Sequence, residues 1–334
     1  MKRRYFYIPI IITLLALVSC QEDEFGPYNV KVRLYGKEHV NVTRSGSYEP
    51  LGPSYSTFVA GLYVTMGQQQ SCFPMSWNGS SLGCNILLEK GDYTFYSYIP
   101  ERQGTTLVNA TDAEPAKLMF TEVPGLGNED IMISHAAVHK SVINQSTVTV
   151  PMNLDHVMAC VSPQFYLDKT YAAMRTIKIK AVEFAIFDGE NISIPYYTAT
   201  ASYSGTDSHN ITWGDDSAAP LTQWVKVYDA NTTSDTLQTT KNLALALGNC
   251  YVSPRQSTAG LKMRVTYNVY DKSDQLLRED VQAVNAIKKL EDLAHDKTLT
   301  AGNNYKLYIK VVPSYLYVLS DNDESSVFVI NDLP

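Results

Sequence analysis

Apolar and polar residues alternate along most of this chain. Between Asn29 and Tyr35 the apolar residues Val30, Val32 and Leu34 fall at every second position, separated by Lys31 and Arg33. A period of two places such residues on one face of a strand, so a first strand is predicted here. Similar short runs recur at 57–65, 85–89, 92–99, 117–123, 146–153, 156–166, 176–187, 195–203, 223–229, 242–247, 260–270, 305–312, 315–319 and 326–330. Turn-forming groups such as Lys90-Gly91-Asp92, Pro124-Gly125 and Asp188-Gly189-Glu190 separate them. Many short strands at this spacing predict β-sandwich domains.

One stretch has a different period. Val281, Val284, Ile287, Leu290 and Leu293 recur in steps of three, which predicts a helix over 278–296 packed beside a sandwich. Residues 168–175 are read as one further turn of helix. The polar connector at 166–175 places a domain boundary near residue 173. The chain then divides into 1–19, 20–44, 45–172 and 173–334.

The start of the chain shows neither period. Lys2, Arg3 and Arg4 precede an apolar stretch at 5–18, followed by Ser19 and Cys20. A basic end, a short apolar core and a small-residue cleavage site make a signal peptide, and the core is too short to span a bilayer comfortably. Leu17-Val18-Ser19-Cys20 resembles a bacterial lipobox, which implies cleavage before Cys20 and lipidation of that residue. Its acyl chains would hold the protein to a membrane. The acidic run after it, Gln21-Glu22-Asp23-Glu24, is similar to the export signal of surface lipoproteins.

Charge narrows the partners. Removing the leader takes three of the 27 basic residues and none of the 34 acidic ones, leaving a net charge of −10. No basic cluster is visible, and nucleic acid is excluded as an expected partner. Tyr is abundant, with 23 residues, and it suits half-wet strand faces.

Little in the sequence points to chemistry. Gly-rich phosphate loops and His-Glu-x-x-His are missing, and no catalytic residue and no cofactor are expected. His135 and His139 are four apart, but in a strand-and-loop setting they span too far for one ion and lack a third ligand. No metal site is expected. His156 sits among apolar residues and reads as a hydrogen-bonded core histidine. The acidic loops at 215–216 and 321–324 read as solvated turns. Apart from Cys20, the cysteines are Cys72, Cys84, Cys160 and Cys250. Cys72 and Cys84 flank the turn dipeptide Asn78-Gly79, so they are candidates for a disulfide across a hairpin, or for two free thiols. Cys160 and Cys250 lie in apolar runs and read as buried thiols.

Several segments, taken in order, resemble the fimbrillin-like lipoproteins of the Bacteroidetes, the subunits of type V pili. They are the lipobox, Val42-Thr43-Arg44, Leu88-Glu89-Lys90-Gly91-Asp92-Tyr93-Thr94-Phe95-Tyr96, Glu129-Asp130-Ile131-Met132, Leu154-Asp155-His156-Val157-Met158-Ala159, and the run from Leu299 to Leu307. The resemblance implies a mostly β chain of two tandem transthyretin-like β-sandwich domains. It implies cleavage by an Arg-specific protease after the first strand, here at Arg44, with Arg33 and Lys37 as competing sites. Residues 20–44 would leave with the lipid, and a neighbouring subunit's strand would fill the groove. Val327, Phe328, Val329 and Ile330 are the donor-strand candidates. The implied partners are other pilus subunits, the outer membrane through the lipid on Cys20, and a host or bacterial surface ligand. The implied location is the outer face of the outer membrane and, after processing, an extracellular fimbrium. The chain departs from the family after Arg44, where a Trp and a Gly-Asp pair are absent from 57–65, which counts against the major-stalk role and leaves minor, anchor and tip roles open. A second class is a surface glycan-binding lipoprotein, whose stacking platform would use Trp77, Trp213 and Trp224 or the tyrosines.

Overall fold

In a computed structural model of the chain, residues 27–37, 47–141, 147–205, 208–230, 234–286 and 298–311 are described. The leader, Cys20, Arg44, the runs at 315–319 and 326–330, and with them Val327, Phe328, Val329 and Ile330, lie outside the described residues. The chain is mostly β. Alternation located many strands closely, among them Asp92–Ile99, Ala116–Pro124, Thr176–Asp188, Tyr196–Tyr203 and Leu261–Tyr270.

The N-terminal strands form a ring. Met132–Ser134, Thr147–His156, Tyr28–Gly36, Leu82–Leu88, Gln69–Trp77, Ala60–Met66 and Asp92–Ile99 are hydrogen-bonded in that order. The ring closes because Met132 and Ile133 also pair with Ile99 and Tyr98. Closure removes sheet edges. The inward residues, including Val30, Val32, Leu34, Leu62, Phe95, Met132 and Met152, form one core.

Strand Asp92–Ile99 is buried on both sides, and its alternation divides two cores. Tyr93 and Phe95 face the ring interior. Tyr96 and Tyr98 face a second core with Leu118, Phe120, Ile133 and Ala199. That core lies under a sheet of Thr106–Val108, Ala116–Pro124, Tyr196–Tyr203 and Asn210–Asp215, which draws strands from both halves of the chain. A third core gathers around Phe165, Phe184, Val265 and Ile309.

Strand Ala159–Leu167, read from sequence as closing the first set, instead opens the C-terminal one. It pairs with Cys250–Val252 and runs parallel to Asn304–Val311. The change of sheets therefore falls between His156 and Ala159 rather than near residue 173. The single turn of helix comes where it was expected, at Lys169–Ala172, capped by Asp168, which accepts from the Thr170 and Tyr171 amides.

The helix predicted over 278–296 is not what its first part forms. Leu276–Ala286 is a strand paired antiparallel to Leu261–Tyr270. Tyr267 is opposite Val281 and Val269 is opposite Arg278, so Glu279 and Asp280 bulge against Asn268. Asp280 has φ +54°, and its amide donates to Asn268 Oδ1 at 3.0 Å. Past the bulge Val281 and Ala283 face inward while Val284 is 51 % exposed, so the step from Val281 to Val284 joins opposite faces of a strand and not one face of a helix. Residues 287–297, with Ile287, Leu290 and Leu293, lie outside the described residues.

Candidate functional site

The site begins with the seat of the first strand. Tyr28–Gly36 runs parallel to Thr147–His156, from Asn29 opposite Thr147 to Gly36 opposite Leu154. On its other side it is antiparallel to Leu82–Leu88, from Tyr28 opposite Leu88 to Arg33 opposite Gly83. Val30 and Val32 are 0 % exposed and Leu34 is 1 % exposed. Burial of each such side chain contributes roughly 1.5–3 kcal/mol, so three together rival the net stability of a small domain. Gly83 allows the backbones to approach, since a Cβ there would stand 2.1 Å from the Val32 carbonyl oxygen. Arg33 adds a clamp by donating from Nη1 to the Val32 and Cys84 carbonyls at 2.8 and 3.2 Å. Its backbone is in two ladders, which shields Arg33 from a protease that needs an extended, unpaired chain.

Where this strand ends, polar groups converge. His156 makes hydrogen bonds to Asp130 through Nδ1, at 2.6 Å, and to the Lys37 carbonyl through Nε2. The carbonyl cannot donate, so Nε2 carries a proton. Both partners of the His156–Asp130 pair are nearly fully buried. Burial works against the imidazolium, but the bonded Asp130 carboxylate and the Lys37 carbonyl raise the His156 pKa above its ordinary value. The neighbouring Asp155 gathers Tyr48, whose hydroxyl donates to Oδ1 at 2.7 Å, together with His135 and Lys37. Burial opposes the Asp155 charge, and those three donors and cations still hold its carboxyl below the usual range. Lys37 Nζ also lies 4.1 Å from the Tyr48 ring centroid. Lys37 and Tyr48 are the residues on either side of the stretch that contains Arg44, and one carboxylate ties both.

The chain returns from that stretch against the same strand, with Tyr35 opposite Pro50 and Gly36 opposite Glu49. A cavity of about 760 Å³ opens beside it, lined by Gly36, Glu49, Tyr55, Asp130, Cys160 and Tyr251 among others. It lies between the end of the first strand and the C-terminal sheet.

Other residues singled out from sequence fall elsewhere. Asn78-Gly79 does turn a hairpin, with the Ser81 amide donating to Asn78 Oδ1 at 2.9 Å. Cys72 and Cys84 are nonetheless free thiols. Cys72 is opposite Tyr63 and Cys84 is opposite Val32, while the hairpin register pairs Ser76 with Gly83. The candidate disulfide is out of register by several residues. Burial pushes the Cys84 thiol up to about 11. Cys160 and Cys250 are buried free thiols, as expected. Asp215 pairs with Arg255, and Asp216 accepts the Glu122 and Ala218 amides, which is the turn role expected of them. His139 bonds Thr94 across the Asp92–Ile99 ladder. Trp77, Trp213 and Trp224 are on different sheets or loops and none is exposed. Trp224 is spent on contacts with Phe187 and Arg264. They form no common platform for a sugar.

Sequence reasoning missed the cluster around Asp155. His135, Asp155 and His209 place one potential ligand atom each within 4.8 Å of one another. Their spacing along the chain carries no recognisable motif, because the fold, not local sequence, brings them together.

No protein-family model matches this sequence, and no curated protein matches it. Solved structures do. A fimbrial protein from Bacteroides vulgatus is 15 % identical, with 91 % of this chain and 98 % of that one covered and a TM-score of 0.42. The fimbrial anchor protein Mfa2 from Porphyromonas gingivalis is 12 % identical, with 91 % and 95 % covered and a TM-score of 0.31. At such identities and TM-scores neither structure assigns a role to any residue here.

Proposed function

We propose that this chain is a structural subunit of a cell-surface fimbrium, that it serves adhesion, and that its first strand is a removable insert. The observation that carries this reading is the seat of Tyr28–Gly36. The strand completes a closed ring, buries every second side chain, and is joined to the rest of the ring only through the residues that follow Lys37. A single cut in that connection turns the strand from part of the fold into a bound ligand. Its departure would unpair Leu82–Leu88 and Thr147–His156 along facing edges and expose the pockets of Val30, Val32 and Leu34. A groove of that kind accepts an extended strand by β-augmentation, with backbone bonds for affinity and alternate side chains for register. Val327, Phe328, Val329 and Ile330 offer apolar side chains at either alternation. In this reading Cys20 carries the lipid that holds the unprocessed chain at the outer membrane, Arg44 is cut, and the partners are other copies or other subunits. No residue of the chain is asked to do catalysis.

The test is limited trypsin digestion of the mature chain, with N-terminal sequencing and electron microscopy of the product. The expected result is a stable fragment beginning at Ser45 that forms ladders or filaments. Resistance at Arg44, or a nicked product that stays monomeric at high concentration with and without other subunits, contradicts the proposal.

A further inference from the structure

His135, Asp155 and His209 come from three segments. His135 follows strand Met132–Ser134 of the ring, Asp155 lies in Thr147–His156 opposite Ile133, and His209 directly precedes Asn210–Asp215 of the sheet that bridges the two halves. All three are half-buried, so an ion could reach them from solvent while protein shields one side. Two hydrogen bonds prepare the imidazoles. His209 Nδ1 lies 2.8 Å from the His135 carbonyl oxygen, which can only accept, so the proton sits on Nδ1. In the neutral ring the lone pair is then on Nε2. The Nδ1 of His135 is bonded to the Asp155 carboxylate, so two of the three donors already stand side by side. The rings of His135 and His209 have centroids 6.1 Å apart, nearly perpendicular, so both can turn a nitrogen toward a common point.

We propose that these three residues bind a divalent transition metal of borderline softness, of the Zn²⁺ type, between the ring and the bridging sheet. Two imidazoles and one carboxylate match that class and not a hard cation such as Mg²⁺, which takes oxygen ligands. A tetrahedral ion with bonds near 2.0–2.1 Å sets its ligands roughly 3.4 Å apart. The 4.8 Å span therefore closes by side-chain rotations of about an ångström, and solvent supplies the fourth ligand. The ion would take the place of the proton between His135 and Asp155. It would tie the bridging sheet to the carboxylate that already holds Tyr48 and Lys37, at the two ends of the stretch containing Arg44. This use of the cluster is independent of whether the chain polymerises.

The experiment uses untagged mature protein stripped with chelator and titrated with Zn²⁺ alone by calorimetry, then with Co²⁺ by visible absorption. Expected are one saturable site in the micromolar range or tighter, a tetrahedral-type Co²⁺ spectrum, a thermal midpoint raised by Zn²⁺ and unmoved by Mg²⁺, and an affinity loss of at least tenfold in His209→Ala. His209→Ala leaves the His135–Asp155 bond in place and so retains the fold, which circular dichroism without metal checks. His139→Ala, whose histidine bonds Thr94 instead, should bind as wild type. No saturable binding at 100-fold molar excess of Zn²⁺, or binding untouched by His209→Ala and by Asp155→Asn, overturns the proposal.

Discussion

Strands Tyr28–Gly36 and Asn304–Val311 each lie parallel to a neighbour, and those neighbours, Thr147–His156 and Ala159–Leu167, follow one another in the chain. Both bury alternate side chains, Val30, Val32 and Leu34 in one case and Leu307, Ile309 and Val311 in the other. They differ in what lies on the far side. The N-terminal strand has Leu82–Leu88 as a second partner and completes a closed ring. The C-terminal strand has one strand partner among the described residues. Equal burial thus has different consequences. Loss of the first strand breaks a ring and exposes two facing edges, while loss of Asn304–Val311 removes a strand with one partner among the described residues. Only the first leaves a slot shaped for a replacement.

The largest expected effect breaks the comparison from the N-terminal side. Val32→Asp sets an unpaired charge inside the ring and should destabilise the mature chain by about 4 kcal/mol or more in urea unfolding. Unfolding at the wild-type midpoint would mean that the strand is not seated as described. Ile309→Ala comes next, at about 2–5 kcal/mol. It should leave unchanged the time for which a nicked chain retains its N-terminal fragment, measured by size exclusion. If it releases that fragment too, the two seats are coupled and the contrast fails.

Much of this contrast could be read from residues alone. Val30, Val32 and Leu34 marked the first strand, because one apolar face against one polar face is all that alternation reports. Gln69–Trp77 was missed since only Met75 within it is fully buried and Pro74 interrupts the pattern. The outward-facing Val284, three residues after the inward Val281, made a strand look like a helix. Closure of the ring through Met132 and Ile133 depends on pairing between distant segments, which no local period encodes. The cluster of His135, Asp155 and His209 was hidden for the same reason, whereas the buried role of His156 showed in its apolar surroundings.

A smaller effect sharpens the description of the seat. Gly83→Ala forces a Cβ against the Val32 carbonyl and should cost about 1–3 kcal/mol, seen as faster loss of the fragment after nicking. Gly52→Ala, where a Cβ meets nothing within 4 Å, serves as the neutral control. The smallest effect concerns the other strand. Lys310 Nζ lies 2.7 Å from Asp168 Oδ2, and that bond, with the Thr170 and Tyr171 amides, holds the Asp168 carboxyl below its ordinary value. A depressed carboxyl stabilises the fold above the unfolded pKa of about 3.9, and that stabilisation is lost as pH falls through the folded value. The protection of the Val311 amide relative to its intrinsic exchange rate should therefore fall on acidification below about pH 3.9. In Asp168→Asn the acid-linked change should vanish, with little cost at neutral pH beyond the lost ion pair, under about 1 kcal/mol.

The most direct test of the removable strand is displacement. The mature chain, nicked by trypsin, is held at neutral pH with a labelled peptide spanning residues 323–334, and the bound species are weighed by native mass spectrometry. The account predicts that the nicked chain, held dilute enough to stay monomeric, keeps residues 20–44 until the peptide is added, and then exchanges that fragment for one peptide. A fragment that stays bound at saturating peptide, or a peptide that binds without displacing it, would contradict the claim that the first strand occupies a replaceable seat.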